Sequence, residues 1–477
     1  MKLLLINPAE RQVLRSNLPL SIERFRGKNP PIGLLYAAAA AQNIDGWSVE
    51  LIDAHAEDLG DRDLAEKIKR ASPDLTGITA ATFTYLDVLR TAEIARGACP
   101  SSKIILGGVH PFLYPAETLR QKNVDIILSG EAERSLPTAL KLWAGKGFDA
   151  LRSQRIPGLF LKGHNDEEFA PAPPIEDLDS TPLPAWELSP LRLYRSLITP
   201  LHPVTIMITS RGCPFRCRYC ALSVTGKKWR AHSAARVVEE MKVCRSLGIR
   251  YILFYDEIFT LKEDRVFDIC DRIRKEEINL PWMARGTAET VNEKMFRAMR
   301  DAGCETVTFG VESGSERVLE NLGRKHSVEK MIEAGRAARK TGLQTIAYFM
   351  IGSPGETDRD IEQSRKLAGR LNPDMIHAAI FMPYPGSAIY QDALSDGSIR
   401  EDYWQSFAED PKPDFAPPYW NREFSDRELE KRLFAFYRRF SFRPAYILGR
   451  LRKIRSLSDL LTAIKGAATM LLRPSGK

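Results

Sequence analysis

The chain has 477 residues, 44% of them apolar and 27% charged, enough for several hydrophobic cores and too apolar for extended disorder. A net charge of +8 is modest at this length and does not by itself point to nucleic acid. Seven cysteines, three of them in one short run, are too few and too clustered for a disulfide framework and suit a reducing compartment with one metal site. The N-terminal apolar run is too short for a signal peptide, and no stretch approaches the roughly 18 apolar residues of a membrane span, so a cytoplasmic protein is expected.

Taken in chain order, short apolar strands are expected at residues 2–6, 48–52, 75–80, 103–106 and 125–128. Helical periodicity lies between them at 34–42, 64–71, 85–97 and 116–121. This alternation predicts an α/β domain over residues 1–145, a doubly wound parallel sheet that binds ligands beyond the carboxyl ends of its strands. Those ends carry Asn7-Pro8, Asp53-Ala54-His55, Thr82, Gly107-Gly108-Val109-His110-Pro111 and Ser129-Gly130-Glu131. Glycine there lets a bulky planar ligand approach the backbone. Residues 170–188 are rich in proline and acidic side chains and lie within a connector expected over 146–195.

A second series of strands is expected at 204–209, 251–255, 282–285, 306–310, 345–351 and 376–381. Helices are expected at 234–247, 264–275, 292–302, 315–321, 328–340 and 358–371. Six such units predict a partial (β/α)6 barrel over 196–400, with functional residues at the carboxyl ends of its strands. The remainder, 401–477, reads as helical and basic. Residues 431–455 hold nine basic side chains and no acidic one, interleaved with Phe434, Phe436, Tyr437, Phe440, Phe442 and Tyr446.

Cys213, Cys217 and Cys220 follow the first strand of the second series with the spacing C-x3-C-x2-C. Thiolates suit iron–sulfur clusters or zinc, but structural zinc wants four closed ligands. No fourth Cys or His is close by: His202 precedes the motif and His232 follows it at a distance. Three cysteines on a cubane leave one iron open. The motif therefore predicts a [4Fe-4S] cluster whose open iron can bind an exogenous chelate; the amino and carboxylate groups of S-adenosylmethionine supply one, and one electron can then break its C–S bond. A zinc loop or unligated thiols are the competing reading.

The motif closely resembles the signature of the radical S-adenosylmethionine superfamily, with Tyr219 at the aromatic position before the third cysteine. Tyr255-Asp256-Glu257 is similar to the family's acidic motif, which implies contact with the methionine amino group, although Asp-Glu stands where Gly-Gly-Glu is common. Phe309-Gly310-Val311-Glu312-Ser313 resembles the ribose-contacting motif, implying Glu312 and Ser313 as hydroxyl partners. Met350 to Glu356, with Gly352, resembles the segment that backs the adenine. For each of these, helix capping or a plain turn is the alternative.

A doubly wound domain ahead of such a core resembles the cobalamin-binding domain of a subgroup that includes methylases and the anaerobic magnesium-protoporphyrin monomethyl ester cyclase. Pro30-Pro31-Ile32-Gly33-Leu34-Leu35-Tyr36, Gly107 to Pro111, Gly130-Glu131 and the proline-rich connector carry the resemblance. It implies cobalamin as a second cofactor, contacted by Gly107, Gly108, His110 and Gly130. Asp53-Ala54-His55-Ala56-Glu57-Asp58 keeps two elements of the cobalt-ligating D-x-H-x-x-G pattern, with Asp58 in the glycine position. His55 is a candidate ligand oriented by Asp53, or else a solvated loop histidine.

These readings predict an enzyme that cleaves S-adenosylmethionine reductively and methylates an unactivated carbon of a small-molecule biosynthetic intermediate. It would draw on an electron donor such as flavodoxin or ferredoxin. The alternative keeps both cofactors but carries out oxidative cyclisation or rearrangement of a porphyrin-like or other substrate, without methyl transfer. A methylthiotransferase would need a second cluster in the first domain, where Cys99 is the only cysteine. A cobalamin-dependent sensor or carrier has no need of Asp256, Glu257, Glu312 and Ser313. The basic aromatic segment fits a solvated helix or peripheral contact with an anionic membrane, and no nucleic-acid module is recognised.

Overall fold

The computed structural model describes residues 1–14, 27–163, 169–221, 226–324 and 327–451. Strands β1 (Lys2–Asn7), β2 (Ser48–Asp53), β3 (Leu75–Thr79), β4 (Lys103–Gly107) and β5 (Ile126–Leu128) form a parallel sheet in the order 2-1-3-4-5. Strand β6 (Leu159–Leu161) adds antiparallel to β5. It falls within the expected connector, because three residues are too few to show a period.

Both faces of this sheet are covered. Leu4, Ile6, Ile78, Ile104 and Leu106 pack in one core with helices Asp61–Ala71 and Tyr85–Ala98. Leu3, Leu5, Leu75, Ile105 and Leu128 pack in another with helices Ile32–Gln42 and Ala132–Lys146. Burial on both faces is why these strands read as continuous apolar runs. The strand order reverses between β1 and β3, which opens a crevice at their carboxyl ends.

The second sheet contains β7 (Val204–Met207), β8 (Tyr251–Phe254), β9 (Trp282–Gly286), β10 (Cys304–Glu312), β11 (Gln344–Ile351) and β12 (Met375–Ile380). All six are parallel and lie in sequential order. Right-handed crossovers in that order put the helices on one face, and the sheet curls into the expected half-barrel. Trp282, Ala284, Val307, Phe309, Ala347 and Phe349 pack outward into the helix-covered core. Their alternates, among them Met283, Arg285, Thr308, Gly310, Tyr348 and His377, form the inner face. Helices begin at short polar caps: Ser233, Asn292 and Ser327 each accept a backbone N–H, and Thr357 with Asp360 closes a capping box.

Helix Asp426–Ser441, started by a Ser425–Glu428 capping box, buries Leu429, Leu433, Phe436, Tyr437 and Phe440. The Tyr437 hydroxyl donates to the Ala378 carbonyl at 2.9 Å and accepts the Ala378 N–H at 2.7 Å, which ties this helix to β12. Most of the interleaved aromatics are therefore packing residues. Positions 452–455 of the basic segment lie outside the described residues. Among the described residues, no helix is long and apolar enough to cross a membrane.

Candidate active site

A cavity of about 250 Å³ lies between the first sheet and helices Ile32–Gln42 and Ala132–Lys146, and Ile208, Arg211, Tyr255 and Glu257 reach its wall from the segments that follow β7 and β8. Gly33, Gly77, Gly107, Gly108 and Gly130 line it. A Cβ on Gly33 would meet nothing within 4 Å, and one on Gly107 nothing nearer than 3.8 Å, so side chains there would fill open space. Gly108 has φ +114°, and a Cβ on it would come within 2.8 Å of the Ala80 carbonyl oxygen. Only glycine fits that turn.

At the wall, Arg230 reaches both oxygens of Glu131 at 3.0 and 2.9 Å. Arg211 lies 3.2 Å from Glu131 and 2.6 Å from Glu133. Burial pushes the Glu131 carboxyl up, but the Arg230 hydrogen bonds and the Arg211 charge outweigh it and hold Glu131 below the ordinary range. Arg211 and Arg230 pair in the two-residue ribbon Ser210–Arg211/Arg230–Ala231. The network thus joins the loop after β5 to the entrance of the cysteine motif.

Several residues expected at the cobalamin site are otherwise engaged. Asp53 is fully buried: Oδ1 accepts from Asn7 Nδ2 (2.8 Å) and the Ala56 N–H (2.9 Å), and Oδ2 accepts from the Tyr194 hydroxyl (2.8 Å). It braces the end of β2 against the connector. His55 is half-buried in the turn after that edge strand and is not among the residues lining the cavity. Asp58, in the glycine position of D-x-H-x-x-G, has φ +54°, a left-handed conformation that glycine adopts most readily and Asp tolerates. His110 is fully buried, stacked on Tyr85 at 3.6 Å with Nδ1 3.2 Å from Thr82 Oγ1, and burial pushes its pKa down to about 3. It braces the interior instead of lining the cavity.

In the second domain, Gly212 (φ +85°) turns the chain into the cysteine motif, where a Cβ would stand 2.3 Å from the Lys228 carbonyl oxygen. The loop is pinned by Cys213 N–H to Gly226 O (3.2 Å) and Arg218 N–H to Leu322 O (2.9 Å). Cys213 is buried, Cys217 half-buried and Cys220 exposed. Burial raises the Cys213 thiol, and charge on Cys217 and Glu257 adds to it. The Cys220 thiol is pushed up, first by loss of water around its sulfur on the inner side of the exposed residue and then by the charges of Cys217 and Cys213. The three sulfurs therefore share one electrostatic neighbourhood. Among the described residues, no three such side chains enclose a single ion. Arg324 counters their charge: Nη1 is 3.5 Å from Cys217 Sγ, and Nη2 donates to the Gly310 carbonyl at 2.6 Å.

The acidic residues divide. Asp256 is fully buried and accepts from the Thr209 N–H (2.6 Å), the Thr209 hydroxyl (2.6 Å) and the Ser210 hydroxyl (2.7 Å). It clamps the loop between β7 and the cysteines and has no face toward a ligand. Glu257, the next residue, lines the cavity and lies within electrostatic reach of Cys213 and Cys220. Glu312 accepts the Tyr219 hydroxyl at 2.9 Å, and Arg324 lies 3.8 Å from the same Oε1. Ser313 is fully buried against Ser364, with the hydroxyls 3.1 Å apart, away from that group. Gly352 (φ +84°) packs against Leu429, 2.7 Å from where a Cβ would stand. Arg211, Arg230 and Arg324 carry no sequence signal beyond the position of Arg211 beside the motif.

A family model for the radical SAM superfamily matches residues 207–368, and one for the B12-binding domain matches residues 20–140. An uncharacterized methyltransferase of Pyrococcus horikoshii is 33% identical over 457 residues, covering 94% of each chain. The anaerobic magnesium-protoporphyrin IX monomethyl ester cyclase of Rubrivivax gelatinosus is 28% identical over 88% of this chain and 75% of its own. The fold matches that of the radical S-adenosylmethionine methyltransferase TsrM from Kitasatospora setae, solved with cobalamin and a [4Fe-4S] cluster, at a TM-score of 0.71 and 18% identity over 93% of this chain and 89% of that one. The chain belongs to the radical SAM superfamily and is a radical SAM enzyme with a B12-binding domain ahead of its core.

Proposed function

We propose that this enzyme methylates an unactivated carbon of a small-molecule intermediate, using a [4Fe-4S] cluster on Cys213, Cys217 and Cys220, S-adenosylmethionine on the open iron, and cobalamin in the glycine-lined cavity. The observation that carries the reading is the position of Glu257, which belongs both to the cavity wall and to the surroundings of Cys213 and Cys220. The two cofactor sites would face each other there. Bound together, the cluster with S-adenosylmethionine supplies a carbon-centred radical, and cobalamin supplies a transferable methyl group.

The chain's own residues hold and orient. Three mutually interacting thiols with the Arg324 guanidinium on Cys217 suit a multi-iron cluster, because the cation offsets accumulating thiolate charge. Glu257 would accept from the methionine ammonium group. Tyr219 and Arg324 both approach Oε1 of Glu312, which leaves Oε2 for a ribose hydroxyl. Gly33 and Gly107, whose Cβ positions are open, would let cobalamin lie against the backbone, while Gly108 and Gly130 line the same cavity and set its turns. Asp53, His110, Asp256 and Ser313, all buried and held by protein partners, would position these elements and not contact the cofactors. Gly352 sets the turn behind the site.

Relatives named as methyltransferases, among them the hopanoid C-3 methylase of Methylococcus capsulatus, favour methyl transfer over cyclisation. The test is anaerobic incubation with methyl-labelled S-adenosylmethionine and a flavodoxin or ferredoxin donor. Label should leave S-adenosylmethionine for the bound cobalamin, which the reduced donor makes an acceptor, with S-adenosylhomocysteine as co-product. Production of 5′-deoxyadenosine with no methyl transfer at all would support cyclisation or rearrangement instead. At the C-terminus, exposed Phe442, Ile447 and Leu448 beside the basic helix would touch an anionic membrane surface. Equal sedimentation with phosphatidylglycerol and phosphatidylcholine vesicles would reject that contact.

A further inference from the structure

The inner face of the half-barrel holds a cation that the cofactor sites above do not use. Arg285 follows Met283 on the inward side of β9, half-buried, and its guanidinium lies 3.9 Å from the centre of the Tyr255 ring. Among the described residues Arg285 makes no ion pair within 4 Å, whereas Arg211, Arg230 and Arg324 on the neighbouring loops are each paired with a glutamate. A half-buried guanidinium with no carboxylate beside it keeps its N–H donors for an incoming oxyanion.

The surroundings fit that role. Arg285 sits opposite Thr308 in the sheet register, and Tyr348 sits opposite Gly310 and His377. The Tyr348 ring meets His377 edge-on at 5.1 Å. Burial raises the Tyr348 hydroxyl, while the Arg285 charge opposes that shift and Tyr255 and Glu312 add to it, so these groups lie within electrostatic reach of one another. Tyr255 closes the link, because it both lines the interdomain cavity and carries Arg285 on its face. The guanidinium is therefore one ring away from the cavity wall, on the inner face it shares with Tyr348. Below it the inner face turns apolar, with Ile206, Leu253 and Met283 packed together.

Building on the functional reading above, we infer that the substrate carries a carboxylate or phosphate group held by Arg285, with Tyr255, Tyr348 and His377 as flat walls for the part next to it. Arg285 is then a specificity-determining residue rather than a catalytic one. Its planar fork suits an oxyanion bidentately, which lysine cannot reproduce.

The test is calorimetric titration of the anaerobically reconstituted protein with phenylphosphonate, an aromatic oxyanion, and separately with S-adenosylmethionine. Iron and cobalt are counted on the same samples. Phenylphosphonate should bind the unaltered chain, weaken at least ~10-fold in Arg285→Met, and weaken less in Arg285→Lys, with S-adenosylmethionine affinity unchanged in both. Loss of S-adenosylmethionine affinity with phenylphosphonate unaffected would assign the guanidinium to the methionine carboxylate and overturn the inference. Unchanged phenylphosphonate affinity in Arg285→Met, or no binding to the unaltered chain, would overturn it as well. A protein that holds neither iron nor cobalt would sink the functional reading instead, and the phenylphosphonate titration is read on that protein all the same.

Discussion

Glu356 gives a quantitative test of how the turn behind the site is held. Its side chain is fully buried, and Oε2 accepts the N–H groups of Gly352 (2.5 Å) and Ser353 (3.1 Å), while Oε1 has no partner among the described residues. Burial pushes its pKa from 4.5 up to about 8, against the lowering effect of the two N–H groups. The folded chain therefore binds this proton more tightly than the unfolded chain. Stability is undiminished below about pH 4.5 and falls as pH climbs toward 8, by about 1.4 kcal/mol per unit. Glu356→Gln keeps an oxygen for the two N–H groups and cannot ionise, so it removes this slope. Urea unfolding of both chains at pH 5.5, 6.5 and 7.5, read by tryptophan fluorescence, should place the variant about 1.4 kcal/mol ahead at the lowest pH, one unit above the unfolded pKa, apart from a constant offset for the amide. The variant should then gain about 3 kcal/mol relative to the parent by the highest. Every other titrating group is common to both chains and cancels. A difference constant to within about 0.5 kcal/mol across the series would show that Glu356 ionises normally, and the argument from burial would fail.

Asp256→Asn exchanges one acceptor oxygen for a donor and leaves the Thr209 and Ser210 hydroxyls poorly matched; a loss of about 2–4 kcal/mol and reduced iron content are expected. Full iron loading with an unshifted melting temperature would reject the clamp. Gly107→Val places a side chain in open space, so cobalamin content after reconstitution should drop while stability changes by about 1 kcal/mol or less. Cobalamin retained at parental levels would put the cofactor elsewhere. Glu131 is held below the ordinary carboxylate range, so its contribution is complete above about pH 4.5 and is lost as pH falls through that lowered value. The stability gap between the parent and Glu131→Gln should be flat from about pH 6 to 8 and shrink on acidification, and a gap that widens in acid would refute the Arg211–Glu131–Arg230 network.

Local signals made the two sheets and the cysteine triad legible. Strands buried on both faces must be apolar throughout, and C-x3-C-x2-C needs only eight residues of chain to declare itself. The polar residues at strand ends were a different matter. A buried Asp or Ser there reads the same whether it meets a cofactor or braces a loop, and the choice rests on partners far away in sequence. Asp53 is matched by Tyr194, Asp256 by Thr209, and Ser313 by Ser364. Arg285 and Arg324 belong to no motif, and only the curl of the half-barrel makes one inward-facing and sets the other on Cys217.

The pair Glu312-Ser313 shows the physical reason most sharply. The register of β10 against β11 shifts between Gly310 and Glu312, and Glu312 takes φ +63°, an uncommon conformation for a residue with a side chain. A bulge of this kind re-aims the residue that carries it. Glu312 is turned onto Tyr219 and Arg324, beside the cysteines, while Ser313 is carried into the core beside helix Asp358–Leu371. Neither residue type foretells the bulge. Strain of about 1–3 kcal/mol in a left-handed non-glycine residue persists only where surrounding contacts hold it, and here those contacts come from the cysteine loop itself. The same loop that would hold the cluster therefore also fixes the carboxylate next to it, which couples the geometry of the two.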